Sequence, residues 1–253
     1  MTSTDPPRTI FITGGSSGIG AQLVKDSARA GYDVGFTYFR ETEQAERLVA
    51  EARALAPGAR IEAWHLDVRS SAEVEAVVDA ALDALDDISV VVCNAGITRT
   101  GLVFSMSDEE WRDVIDTNLT GAFHVCRQFL AHFLGNRHGR FIHISSIAMY
   151  GMAGQAGYCA SKAGLWALSN ALAREYGPKG ITSNTLALGL IDAGLTASDA
   201  STRTIDFWKE HCPAGRLGDI SEISGAVLFL ASPAASFING DVIHLAGGMN
   251  RTP

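Results

Sequence analysis

Short apolar runs rich in β-branched residues recur along this chain. Longer stretches separate them, with apolar positions repeating every three or four residues. The short runs are Thr9 to Thr13, Asp33 to Tyr38, Arg60 to His65, Ile88 to Cys93, Arg140 to Ser145, Ile181 to Ala187 and Asp241 to Leu245. Each reads as a strand. Segments such as Glu41 to Leu55 and Ser71 to Leu85 carry helical spacing. Strands that are apolar throughout and alternate with helices predict a parallel sheet covered on both faces. The pattern predicts a doubly wound α/β fold on a parallel seven-stranded sheet. No Pro/Ser-rich linker and no repeat interrupts it, so 1–253 is expected to form a single domain, with 1–7 as a polar extension.

Composition narrows the class without changing the fold. With 253 residues, 47% of them hydrophobic, the chain can bury a substantial core. Met1 to Arg8 lacks the basic start and apolar run of a signal peptide. The longest apolar stretches fall far short of the ~20 residues that a membrane helix needs. Twenty-eight acids against 20 bases give a net charge of −8, which offers no footprint for nucleic acid. The four cysteines, Cys93, Cys126, Cys159 and Cys212, form no CxxC pair and no Cys/His cluster in sequence. A reducing, cytoplasmic compartment is expected, with neither a disulfide framework nor a zinc site. His124, His132, His138 and His143 are read as structural or surface residues, with no metal.

The first strand runs into Thr13-Gly14-Gly15-Ser16-Ser17-Gly18-Ile19-Gly20 and then a helix. Gly14 permits a sharp turn, Gly18 close backbone approach and Gly20 tight helix–strand packing. The free amides of the helix N-terminus then face a pyrophosphate. The turn lacks the Gly-Lys-Ser/Thr ending of a nucleoside-triphosphate loop, so a dinucleotide and a Rossmann-type sheet are expected. Further along, Tyr158 and Lys162 stand four apart on a helical segment and project from one face. An ammonium near a phenol favours phenolate, so the pair is expected to lower the tyrosine pKa toward working pH. Tyr158 would give a proton to a carbonyl oxygen as a nicotinamide delivers hydride to its carbon.

Taken together these residues resemble the short-chain dehydrogenase/reductase family, from about Thr9 to Gly248. The T-G-x3-G-I-G turn, Asn94-Ala95-Gly96 after the fourth strand, Asp67-Val68 after the third, Asn118 and Tyr158-x3-Lys162 all match family motifs. The resemblance implies that Gly14, Ser16, Ser17, Gly18, Ile19, Gly20, Asp67, Val68, Asn94, Ala95, Gly96, Gly189 and Ile191 contact the cofactor, as do Tyr158 and Lys162. It implies a catalytic set of Asn118, Ser146, Tyr158 and Lys162, with Asn118 holding a water that relays protons to Lys162. Anchoring on the strand Arg140 to Ser145 selects Ser146 to polarise the substrate, although the commoner interval would select Ser145. At the end of the second strand no acid precedes Glu41 and Arg40 stands nearby, which favours NADP(H) over NAD(H).

Several segments are similar to the branch that reduces 3-oxoacyl groups on a carrier protein, among them Arg137-His-Gly-Arg140 and Pro213 to Gly218. There the positions of Arg137 and Lys179 flank the active-site entrance and dock the acidic carrier. A homotetramer is implied, with a dimer as the alternative. One departure stands out: where relatives carry P-G-x3-T after the sixth strand, this chain has Leu188 and Ala193 in place of Pro and Thr. Loss of that hydroxyl contact costs about 1 kcal/mol in nicotinamide binding. The expected activity is an NADPH-dependent ketoreductase. The alternatives are a dehydrogenase of a small alcohol, sugar or steroid, and a non-catalytic subunit of a mixed oligomer. Leu195 to Cys212, with Phe207 and Trp208, falls where a substrate lid is expected.

Overall fold

The computed structural model describes residues 8–192 and 202–249. The polar extension, Ala193 and the first part of the expected lid lie outside the described residues. Seven strands form one parallel sheet: β1 (Arg8–Ile12), β2 (Tyr32–Tyr38), β3 (Ile61–His65), β4 (Val90–Cys93), β5 (Gly139–Ser146), β6 (Ile181–Leu188) and β7 (Val242–Leu245). Their order is β3-β2-β1-β4-β5-β6-β7. Every strand lies within two residues of the run that predicts it. The chain winds outward from β1 in one direction and from β4 in the other. The crevice at the carboxyl ends of β1 and β4 is therefore the ligand-binding switch point of such sheets.

Helices cover both faces: α1 (Gly18–Arg29), α2 (Thr42–Leu55), α3 (Ser71–Leu85), α4 (Asp108–Ile115), α5 (Gly121–Asn136), α6 (Ala156–Tyr176), α7 (Thr202–His211) and α8 (Ile220–Ala231). One core joins Ile10, Ile12, Val34, Phe36 and Ile142 to α1, α2 and α8. The other joins Phe11, Val91 and Phe141 to α3, α5 and α6. Alternate strand residues thus feed opposite cores, which is why the strands are apolar throughout.

The sequence predicts one continuous helix from Trp111 to Leu134, and the structure corrects this. A wide π-helical turn, Asp116–Thr120, separates α4 from α5 and holds Asn118. The widened turn carries the Asn118 side chain inward, where its amide meets backbone groups that need partners.

Candidate active site

A cleft of about 760 Å³ opens at the carboxyl ends of the central strands. The glycine turn forms its floor. Gly14 takes φ +64° because the chain reverses there against Ala95, where a Cβ would come within 2.9 Å of the Ala95 Cα. Gly20 packs on the Gly14 carbonyl so tightly that a Cβ would lie 2.1 Å from its oxygen. Ser17 caps α1 without a side-chain hydrogen bond, so its first-turn amides stay open to an anion. Across the switch point, Asn94 Nδ2 donates to the carbonyls of Thr13 and Gly14, each at 2.9 Å. Thr13 Oγ1 accepts from the amides of Asn94 and Ala95 at 3.1 and 3.0 Å. These bonds hold the two strand ends at fixed separation. Open amides, a glycine floor and a long cleft fit a pyrophosphate-linked dinucleotide.

The expected cofactor residues gather in this cleft: Gly14, Ser16, Ser17, Gly18, Ile19, Gly20, Arg40, Asp67, Val68, Asn94, Ala95, Gly96, Gly189 and Ile191 all line it. Leu188 lines it too. Lacking the ring of a proline, Leu188 continues β6 and pairs with Leu245 on β7. Sequence reasoning missed Thr37, Phe39, Arg69, Arg99 and Asp113, which also line the cleft. Arg40 and Arg69 lie over the Phe39 ring at 5.4 and 5.8 Å. Arg69 is tied to Asp67 at 2.7 Å and to Asp113 at 3.4 Å, whereas Arg40 enters no ion pair among the described residues. Arg69 follows Asp67 by two residues, and its spacing alone carries no sign that it turns back. Glu41 accepts a hydrogen bond from Ser16 Oγ at 3.3 Å and so brings an acid beside the turn.

At the far end of the cleft stand Ser145, Ser146, Tyr158 and Lys162. Ser145 Oγ donates to the Lys162 carbonyl at 2.9 Å and is buried. Of the two serines it is Ser146 that acts on the Tyr158 phenol, drawing its pKa down. Lys162 is 4% exposed and donates from Nζ to the Ile144 carbonyl at 2.7 Å. Its Nζ sits 5.4 Å from the Tyr158 ring centre.

The expected fall in the tyrosine pKa is not found. Desolvation pushes the Tyr158 phenol up to about 12, only partly opposed by Ser146. Burial pulls Lys162 down to about 8, with Cys93 opposing. Withdrawal from water outweighs a cation whose hydrogen bond goes to Ile144 instead of the phenol.

Asn118 does not line the cleft. Its Oδ1 accepts from the Ile97 amide at 2.8 Å, and its Nδ2 donates to the Ile97 carbonyl at 2.9 Å and to Ser161 Oγ at 3.0 Å. Both amide protons and the carbonyl are engaged, so the side chain clamps the loop after Gly96. Gly96 lies between Asn118 and Lys162, since a Cβ there would come 3.2 Å from Oδ1 and 3.6 Å from Nζ.

Arg137 and Lys179 do not flank the cleft. Arg137 ends α5 in the left-handed conformation, and Lys179 ends the turn after α6. They precede β5 and β6, whereas the cleft lies beyond the opposite ends of those eight-residue strands. At ~3.3 Å per residue the separation is about 26 Å. Trp208 in α7 is 5% exposed and packs with Ile147, Met149, Ala187 and Ala246, so it serves the core.

A dinucleotide cleft at a parallel switch point, with a Ser/Tyr/Lys group at its end, defines a nicotinamide-dependent oxidoreductase. The chain belongs to the short-chain dehydrogenase/reductase family and is an NAD(P)-dependent oxidoreductase of that family. A family model described as "Enoyl-(Acyl carrier protein) reductase" matches residues 14–250. The chain is 38% identical to the 3-oxoacyl-[acyl-carrier-protein] reductase FabG of Vibrio cholerae, over 96% of this chain and 97% of that one. It is 37% identical to the FabG of Staphylococcus aureus, over 96% and 98%. Among solved structures, levodione reductase superposes with a TM-score of 0.90 at 29% identity, covering 95% and 96% of the two chains. An actinorhodin polyketide ketoreductase variant with NADPH gives 0.90 at 30%, covering 96% and 97%. No helix of the described residues is long and apolar enough to cross a membrane.

Proposed function

We propose that this protein is an NADPH-dependent ketoreductase that converts a 3-oxoacyl thioester on an acyl carrier protein to the 3-hydroxyacyl form. The observation that carries this reading is the grouping of Ser146, Tyr158 and the buried Lys162 in the wall of a cleft built for a dinucleotide. The FabG relatives supply the substrate class. The bound nicotinamide would supply the hydride. Gly14 to Gly20 would hold its pyrophosphate, and Asp67 and Val68 the adenine end.

In this reading Ser146 holds the ketone oxygen and Tyr158 protonates it. A phenol with a pKa near 12 keeps its proton through the neutral range and yields it only to a strong base. The oxygen of a ketone accepting hydride becomes such a base. Lys162, mostly charged at neutral pH, stabilises negative charge nearby and can hold cofactor hydroxyls. Asn118 is a positioning residue, acting through the Ile97 loop and Ser161.

NADPH is favoured over NADH because Arg40, at the end of β2, enters no ion pair among the described residues and can meet a 2′-phosphate. Exposed Phe123 on α5 and Trp166 on α6 suit a homotetramer. In such an assembly Arg137 and Lys179 would serve a carrier protein at the entrance of a neighbouring copy. Four free cysteines suit a reducing, cytoplasmic setting. The test is NADPH consumption on carrier-bound 3-ketones, simple 3-oxoacyl thioesters and secondary alcohols. Turnover on the 3-ketones, lost by at least about a thousandfold in Tyr158→Phe with NADPH binding intact, is expected. Turnover confined to the alcohols would overturn the substrate assignment.

A further inference from the structure

Beneath the cofactor turn lies a group of side chains that catalysis does not use. Cys93 ends β4, His143 is its partner in register on β5, and Cys126 comes down from α5. All three are buried, with exposures of 4%, 0% and 1% for Cys93, His143 and Cys126. Their donor atoms lie within 4.8 Å of one another. Among the described residues no other three His, Cys, Asp or Glu side chains come together in this way. The residues are 33 and 17 positions apart along the chain, which is why the sequence shows no cluster.

Three observations point to a ligand. The Cys93 and Cys126 sulfurs are 3.7 Å apart. Zinc–sulfur bonds of about 2.3 Å in a tetrahedron set an S···S edge of about 3.8 Å, so the sulfurs already stand at that spacing. Next, His143 Nε2 meets Ser183 Oγ at 3.2 Å, and Ser183 Oγ meets Ser169 Oγ at 2.9 Å. That chain resembles the outer-shell bonding that fixes the tautomer of a metal-binding histidine. It leaves Nδ1 fully buried with no hydrogen bond of good geometry, while the Cys93 thiol interacts with the ring. A buried ring nitrogen in that state is unfavourable unless something occupies its lone pair.

We propose that Cys93, Cys126 and His143 form a structural binding site for a thiophilic divalent cation of the zinc kind. Binding breaks two S–H bonds, forms two metal–sulfur bonds and one metal–nitrogen bond, and releases two protons. The two thiolates cancel the charge of the ion, so a neutral unit is buried. The ion would join β4, β5 and α5 one residue before Asn94. Because the site is closed, it would load as the chain folds, and affinity would rise with pH.

The test uses the full chain, produced in zinc-supplemented or cadmium-supplemented medium and freed of loose metal. Elemental analysis is expected to give roughly one ion per chain. Cadmium should add a thiolate charge-transfer band in the near ultraviolet. Cys126→Val and His143→Asn should each lower retention at least about tenfold, whereas Cys159→Ser, a half-exposed thiol outside the cluster, should not. If a variant fails to fold, X-ray absorption on the wild-type zinc form decides, with two sulfurs and one nitrogen expected around the metal. Metal-free wild type from both media would overturn the proposal. So would retention unchanged in both cluster variants, retention lost only in Cys159→Ser, or a first shell without sulfur. None of these outcomes bears on the reductase reading, which uses none of the three residues.

Discussion

Lys162 Nζ donates to the carbonyl oxygen of Ile144 at 2.7 Å, which fixes a buried cation to the strand that also carries Ser146. The bond explains how a charged group is held at the base of a cleft, and burial explains its low pKa. Folding lowers this lysine from an ordinary 10.5 to about 8. Between those values the unfolded chain binds more protons than the folded one, so stability rises with pH across that window. Tyr158 acts in the opposite sense, being raised from 10.0 to about 12, and its contribution is lost as pH climbs above 10. The expected profile of chemical unfolding therefore climbs from about pH 8, by on the order of 3 kcal/mol at most from Lys162. It turns down above about pH 10. Lys162→Met should flatten the climb; an unchanged climb in that variant would show that burial of Lys162 is not its source.

The strands were legible because a sheet covered on both faces makes each one apolar throughout, and the glycine turn was legible because its chemistry is local. Tyr158 and Lys162 share one helical face, so spacing alone places them together. Asn118 was found by motif, but its role was not legible. The π-helical turn that redirects it depends on the Ile97 loop, more than twenty residues away. Arg137 and Lys179 lie at the other end of the sheet from the cleft of the same copy. Spacing finds positions along the chain, whereas which end of the sheet they occupy follows from strand direction. The Tyr158 pKa failed because proximity to a cation is readable from i and i+4, and desolvation is not.

Asn118→Ala should act through the loop it clamps. The substitution strands the Ile97 amide and carbonyl and removes a donor to Ser161 Oγ. Leaving such buried groups unpaired costs about 1–3 kcal/mol. Thermal unfolding should fall accordingly, with NADPH binding weakened because the loop begins at Gly96 in the cleft. Normal stability in this variant would show that the clamp carries no weight.

Gly20→Ala tests the floor of the cleft. A methyl there would lie 2.1 Å from the Gly14 oxygen and 2.8 Å from Asn94 Nδ2, the two atoms that hydrogen-bond each other at 2.9 Å. Neither can yield without opening the turn, because both belong to the junction of β1 and β4. Cofactor affinity is expected to drop at least about a hundredfold, equivalent to roughly 2.7 kcal/mol, in a titration followed by nucleotide fluorescence. Retained affinity would mean that α1 can shift away from the strand.

The proposed preference for NADPH turns on two neighbouring residues of opposite charge. Arg40 enters no ion pair among the described residues and lies over Phe39, so its guanidinium is free to meet a 2′-phosphate. Glu41 accepts from Ser16 Oγ and offers a carboxylate suited to ribose hydroxyls. A charge-assisted bond to phosphate is worth about 1.5–3 kcal/mol, more than the neutral hydroxyl contact that Glu41 would gain with NADH. Arg40→Ala is therefore expected to raise the KM for NADPH about tenfold or more, leaving that for NADH nearly unchanged. Glu41→Gln should do the reverse on a smaller scale. Steady-state kinetics with both cofactors checks the pair of effects, and equal losses for NADPH and NADH in Arg40→Ala would remove the arginine as the source of selectivity.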